Sequence, residues 1–190
     1  EYFIAGFESM GIEVEPLMPI LNQLESNTNF ALENINKILK SCRKVGIRPI
    51  HIRIQSLLSD AKDTGVLHSS AGMYYPPGCT ASEFCDEAMP LENEIVLNKT
   101  CSGIVVGTPI DRILRNLGIK NVVVTGFYTD QCVSTSIRDL ADLGYKVDMI
   151  EDAMAAMSQE RHDKALQSIK YIYANCEKTQ ELIERLEQLN

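Results

Sequence analysis

The segment Asn121–Ala153, NVVVTGFYTDQCVSTSIRDLADLGYKVDMIEDA, constrains the fold of this chain more than any other. It opens on an apolar run, Val122-Val123-Val124, that ends at Gly126. A polar elbow follows, Tyr128-Thr129-Asp130-Gln131, and a helical pattern starts at or next to Cys132. That pattern turns Val133, Ile137, Leu140 and Ala141 inward and Arg138, Asp139 and Asp142 outward, until Gly144 ends it. Lys146–Ile150 then reads as a second strand. Strand, helix and strand in this order make a crossover unit, and such units build parallel sheets. Val122–Thr125 is short and apolar on both faces, as a central parallel strand is.

The same alternation runs through the chain. Residues 31–45 place Leu32, Ile35, Ile38, Leu39 and Cys42 on one helical face, and Gly46 stops that helix. Arg48–Gln55 and Glu94–Leu97 read as strands. Thr108-Pro109 starts a helix, with Thr as N-cap and Pro in the first turn, and Gly118 closes it. Ser158 caps a helix running to about Ala174, and Thr179 caps a last one. Residues 56–90 carry no period and form a long surface excursion. The expected fold is α/β: a three-layer α/β/α, Rossmann-like arrangement, with a mostly parallel sheet and helices on both faces. The 190 residues fit one domain, 1–190.

A net charge of −8 opposes binding to nucleic acid or to an anionic membrane surface. No apolar run is long enough to span a membrane, and no basic, then apolar leader is visible. The six cysteines, at 42, 79, 85, 101, 132 and 176, have irregular spacing and no C-x-x-C pair. A reduced, cytoplasmic setting is expected. Cys79 and Cys85 stay open as a possible pair, and Cys101 reads as a packed small residue.

In parallel sheets of this kind, ligands bind beyond the carboxyl ends of the strands. Lys99 and Cys132 both fall there. A thiol at a strand-to-helix junction meets helix N–H groups and the positive end of the dipole, which favour thiolate, the reactive form. Position alone leaves a nucleophile and a buried small hydrophobe equally open for Cys132.

The motifs go further. Pro77-Gly78 and Pro90 precede Glu94-Ile95-Val96-Leu97-Asn98-Lys99; Gly107-Thr108-Pro109-Ile110-Asp111 follows, with Leu114 in the next helix. Then come Gly126-Phe127-Tyr128-Thr129-Asp130-Gln131-Cys132-Val133, Gly144-Tyr145 and Glu151-Asp152-Ala153. In this set the chain resembles the isochorismatase-like cysteine hydrolase superfamily, most closely over Pro77–His162. The resemblance implies an Asp–Lys–Cys triad, with Lys99 as the lysine and Cys132 as the nucleophile. It implies oxyanion donors in the backbone N–H groups of Tyr128 and Cys132, and a cis peptide between Phe127 and Tyr128. Phe3, Phe7, Phe127 and Tyr128 are its substrate-pocket candidates.

Two departures stand out. The family's aspartate ends a first strand, and Glu1-Tyr2-Phe3 resembles the residues just after it, so that strand and its acid are expected upstream of residue 1. Glu1 and Glu8 are conceivable substitutes that do not match the motif position. Gly103-Ile104-Val105 stands where relatives carry a Ser-Ala-Phe-like triplet, so the pocket wall differs. Related nicotinamidases hold a metal, but His51 and His68 lack the spacing of such a set, so neither metal nor cofactor is expected. His162 reads as a surface or structural histidine, Asp130 as a helix cap, Asp152 as structural, and Tyr74 and Tyr75 as a lid or subunit contact.

The implied function is cysteine-dependent hydrolysis of a small-molecule amide or ureido C–N bond through a thioester. The alternatives are a vinyl-ether hydrolase of the isochorismatase type, or a non-catalytic metabolite-binding member if the acid is absent. Relatives of this kind are homodimers or homotetramers, and the same is expected here.

Overall fold

The computed structural model describes residues 13–189. Phe3, Phe7, Glu1 and Glu8 therefore lie outside the described residues. The elements are α1 (Met18–Lys44), β1 (Ile50–Ile54), α2 (Val66–Ser69), β2 (Ile95–Lys99), α3 (Ile104–Gly107) and α4 (Ile110–Asn116). They continue as β3 (Asn121–Phe127), α5 (Ser134–Asp142), β4 (Lys146–Ala155), α6 (Gln159–Ile169), β5 (Asn175–Glu177) and α7 (Thr179–Glu187). Every strand pair is parallel. No described helix is long and apolar enough to cross a membrane.

β4 shows why the chain forms layers. Side chains alternate along a strand, so neighbours serve opposite faces. Met149 joins a cluster with Ile110, Leu114, Ile137 and Leu140 from α4 and α5. Its neighbour Ile150 joins a second cluster with Ile35 and Ile38 of α1 and Leu182 and Leu186 of α7. Both side chains are fully buried. At about 1.5–3 kcal/mol per buried large apolar side chain, each face is independently anchored. The α/β layering and the parallel pairing agree with the reading from sequence.

Among the described residues β1 pairs with β2, β3 with β4 and β4 with β5, and no ladder joins the two groups. Among these residues β3 has a ladder with β4 alone, and Val123 is 42% exposed. The run Val122–Val124 has the composition of a central strand without the burial of one.

The boundaries differ in instructive places. α1 begins at Met18, thirteen residues before the apolar period becomes legible, because only Leu24 is buried in its first thirteen residues. α6 stops at Ile169 rather than Ala174: Tyr171 takes φ 67°, and the chain turns back into β5. Ser158 does cap α6, accepting from Arg161 N. Thr179 is not the cap of α7; its N–H and hydroxyl both donate to Asp152 Oδ1, giving Asp152 the structural task expected of it. Thr108 sits one residue before the N-cap Pro109, and its hydroxyl still accepts from Ile110 N.

Candidate active site

β2 ends at Lys99, and the loop behind it curls back under the side chain. The ammonium donates to Cys101 O at 2.8 Å, to Ser102 O at 2.9 Å and to Cys132 Sγ at 3.2 Å. Lysine has three donors, and all three are used. The residue is only 5% exposed. Among the described residues no carboxylate pairs with Lys99 or hydrogen-bonds to Cys132. Lys99 and Cys132 are thus brought together as expected.

Two close approaches make this geometry possible. A Cβ on Gly107 would stand 2.5 Å from Cys101 Sγ and 3.2 Å from Lys99 Cβ. A Cβ on Gly65 would stand 2.5 Å from Thr100 O, the same oxygen that Gly65 N donates to at 3.1 Å. The first lets α3 pack behind the lysine; the second lets α2 dock on the loop.

The elbow supplies the sulfur. The Phe127–Tyr128 peptide is cis, at the expected position. Residues Thr129–Val133 form a π-helical turn, closed where Val133 N and Gln131 N donate to Tyr128 O. Cys132 therefore sits inside this turn, ahead of α5, rather than on the first residue of the α-helix. The turn is pinned from below: Thr129, fully buried, shares a 2.8 Å hydrogen bond with His162 Nδ1 of α6. Burial is the main cause that pushes the His162 pKa below the usual imidazole range. Its role is structural. Asp130 caps nothing; it forms an ion pair with Arg161.

The pocket candidates separate. Tyr128 is half-buried, and burial, then nearby Tyr75, push its phenol pKa up, so it stays neutral. Phe127 packs against the second core cluster. Tyr74 is exposed, while Tyr75 O accepts from Ser56 N. His68, expected in an open segment, is buried on α2 at 4% exposure. Burial, then the charge of Lys99, hold its pKa below the usual range. His51, on β1, is buried and committed to Glu94 at 2.8 Å. The described residues contain no cluster of three metal-ligating side chains.

The remaining cysteines are free. Cys42 is raised by burial, and Cys176 is pushed up to about 12 by burial and its hydrogen bond to Glu151. Cys101 Sγ donates to Gly103 O. Ser102, which the sequence reading passed over, brings its hydroxyl 3.7 Å from Cys132 Sγ. Two surface hollows lie elsewhere, one around Glu33, Lys37 and Glu87 and one around His162 and Lys178; neither includes Lys99 or Cys132. The chemistry is located by the ammonium and the sulfur, not by depth.

Several known proteins are similar to this chain. The Isochorismatase domain family model matches residues 20–181. The uncharacterized isochorismatase family protein YrdC of Bacillus subtilis is 32% identical over 132 residues, 70% of this chain and 64% of that protein. The ureidoacrylate amidohydrolase RutB of Klebsiella pneumoniae is 41% identical over 71 residues, 37% of this chain and 30% of that protein. The chain thus spans less than two thirds of the length of either relative. Among solved structures, a cysteine hydrolase from Pseudomonas syringae pv. phaseolicola superimposes with a TM-score of 0.79 at 24% identity, covering 86% of this chain and 83% of that one.

Proposed function

This chain belongs to the isochorismatase family of hydrolases, and on that premise we propose that it cleaves a C–N bond in a small amide or ureido compound through a thioester on Cys132. The observation that carries the reading is the 3.2 Å contact between Lys99 Nζ and Cys132 Sγ. A sulfur held beside a buried ammonium is suited to attack a carbonyl carbon. The similarity to RutB, a ureidoacrylate amidohydrolase, supports the substrate class.

In this reading the Sγ–C bond forms as the carbonyl π electrons move to oxygen. The N–H groups of Tyr128 and Cys132 receive that oxyanion. The C–N bond then breaks, the amine leaves with a proton, and water hydrolyses the thioester. The family's aspartate is assigned to take the proton where Cys132 is a thiol and to pass it to the leaving amine. The active unit is proposed to be a homodimer or homotetramer.

The test is to incubate the protein with a panel of small amides and ureido compounds and to read intact mass after acid quench. An acyl adduct that maps to Cys132 and disappears in Cys132→Ser is expected. Turnover without any adduct, retained in Cys132→Ser, would overturn the assignment.

A further inference from the structure

The sulfur of Cys132 has a second neighbour that the triad does not include. Lys99 uses its three protons on Cys101 O, Ser102 O and Cys132 Sγ. On the same loop, Ser102 Oγ stands 3.7 Å from Sγ, within reach of a hydrogen bond to sulfur. That hydroxyl makes no other hydrogen bond among the described residues. Ser102 therefore touches the site twice: its carbonyl holds the lysine, and its side chain faces the nucleophile.

We propose that the Ser102 hydroxyl is a catalytic donor to the thiolate of Cys132, the second of a pair with Lys99. The proposal rests on Cys132 being the reactive thiol, as read above. A serine hydroxyl can donate or accept, and in the thiolate state the sulfur has lone pairs and no proton, so there the hydroxyl donates. Before attack the sulfur is anionic and holds the donor well. As the Sγ–C bond forms, negative charge moves to the carbonyl oxygen and the sulfur loses its pull on the hydroxyl. The bond is therefore made to the free thiolate and weakened on the way to the intermediate.

Such a donor has two opposed effects. It favours the thiolate over the thiol, and it lowers the intrinsic nucleophilicity of that thiolate. A hydrogen bond to a charged acceptor shifts the thiol–thiolate ratio by roughly tenfold, at the low end for a contact this long. Intrinsic nucleophilicity follows basicity with an exponent of about 0.4–0.5, so tenfold in basicity is about threefold in rate. Removing the hydroxyl should then slow the thiol about threefold at low pH, where the thiolate fraction limits, and speed it about threefold on the high-pH plateau. The two pH profiles cross. Damage to the fold or to the Lys99 site would not produce a faster plateau.

The experiment uses a small neutral probe, 2-hydroxyethyl disulfide. The Cys132 thiolate attacks one sulfur, the S–S bond breaks, and 2-mercaptoethanol leaves as thiolate; peptide mass spectrometry counts the mixed disulfide on Cys132 alone. Rates are measured from pH 5 to pH 10 for wild type, Ser102→Ala, Ser102→Gly and Ser102→Thr. Buried Cys42 reports folding, since it stays unmodified while the core is intact. Crossing profiles for the alanine and glycine variants, with a wild-type profile for threonine, are expected. Superimposed profiles, or profiles offset by one factor at every pH in a variant whose Cys42 stays protected, overturn the proposal. No substrate is needed, so failure to find an acyl-enzyme leaves this result standing, and the two readings fail separately.

Discussion

Glu94 offers the sharpest quantitative test of how the excursion is tied to the fold. Its carboxylate accepts from Arg43 Nε and Nη2, both at 2.8 Å, and from Leu91 N at 2.9 Å, and it pairs with His51 Nε2 at 2.8 Å. One side chain thus joins the end of α1, the strand β1 and the residues just before β2. Its own side chain is only 5% exposed. The Arg43 hydrogen bonds are the largest cause that lowers its pKa from 4.5 to about 2. At 1.36 kcal/mol per unit, that shift corresponds to at most about 3 kcal/mol. Arg43 keeps contact with water, and screening brings the expected figure to about 2 kcal/mol. The sign follows from the depressed value. The contribution is complete above about pH 4.5 and is lost as pH falls toward 2. Glu94→Gln keeps the shape and removes the charge. Urea unfolding should show a gap of about 2 kcal/mol between wild type and variant at pH 7, shrinking steadily between pH 4.5 and 2. In thermal unfolding at pH 7, the gap corresponds to about 4–8 °C. A gap that is equal at pH 7 and pH 3, or no gap at either, refutes the assignment of the stabilisation to the carboxylate charge.

Two further outcomes follow from the site. Lys99→Met removes the ammonium while keeping the length of the side chain, and mixed-disulfide formation on Cys132 at pH 7 should fall by at least tenfold; an unchanged rate shows that the lysine does not activate the sulfur. Thr129→Val takes the partner from His162 Nδ1 in a buried pair and should cost about 1–3 kcal/mol of stability, most of it recovered when His162→Phe is added; additive losses in the double variant would show that the hydrogen bond is not what couples the elbow to α6.

What was legible in the sequence was whatever depends on near neighbours. The run Val122–Val124, Gly126, the helix behind Cys132 and Gly144 are local signals, and they gave the crossover from β3 to β4. The cap at Ser158 is of the same kind. Strand ends placed Lys99 and Cys132 at one sheet edge, but position alone left Cys132 open as a nucleophile or a buried small residue; the motif resemblance assigned their roles. What was not legible depends on residues far apart in the chain. Thr129 and His162 are 33 positions apart, and nothing near either announces the pair. His68 lies in a stretch without period, and its burial comes from Gly65 meeting Thr100 O across the excursion. Ser102 looked like an ordinary loop residue because its importance lies in where Lys99 folds the loop.

That last point bears on how the site keeps its shape. Lys99 comes from the ladder of β1 and β2, and Cys132 follows β3 in the other ladder. Among the described residues, contacts between the loop after β2 and α5 link the two. The connections are specific. Ile104 N donates to Ser136 Oγ at 3.3 Å, and Ser136 Oγ donates to Cys132 O. Gly103 lies so close to α5 that a Cβ there would stand 2.9 Å from Asp139 Oδ2 and 3.0 Å from Thr135 Cγ2. This is the stretch, 103–105, singled out in the sequence by its Gly-Ile-Val. With glycine at 103 the loop lies against Thr135 and Asp139 of α5, and the next residue back, Ser102, holds its hydroxyl 3.7 Å from Sγ.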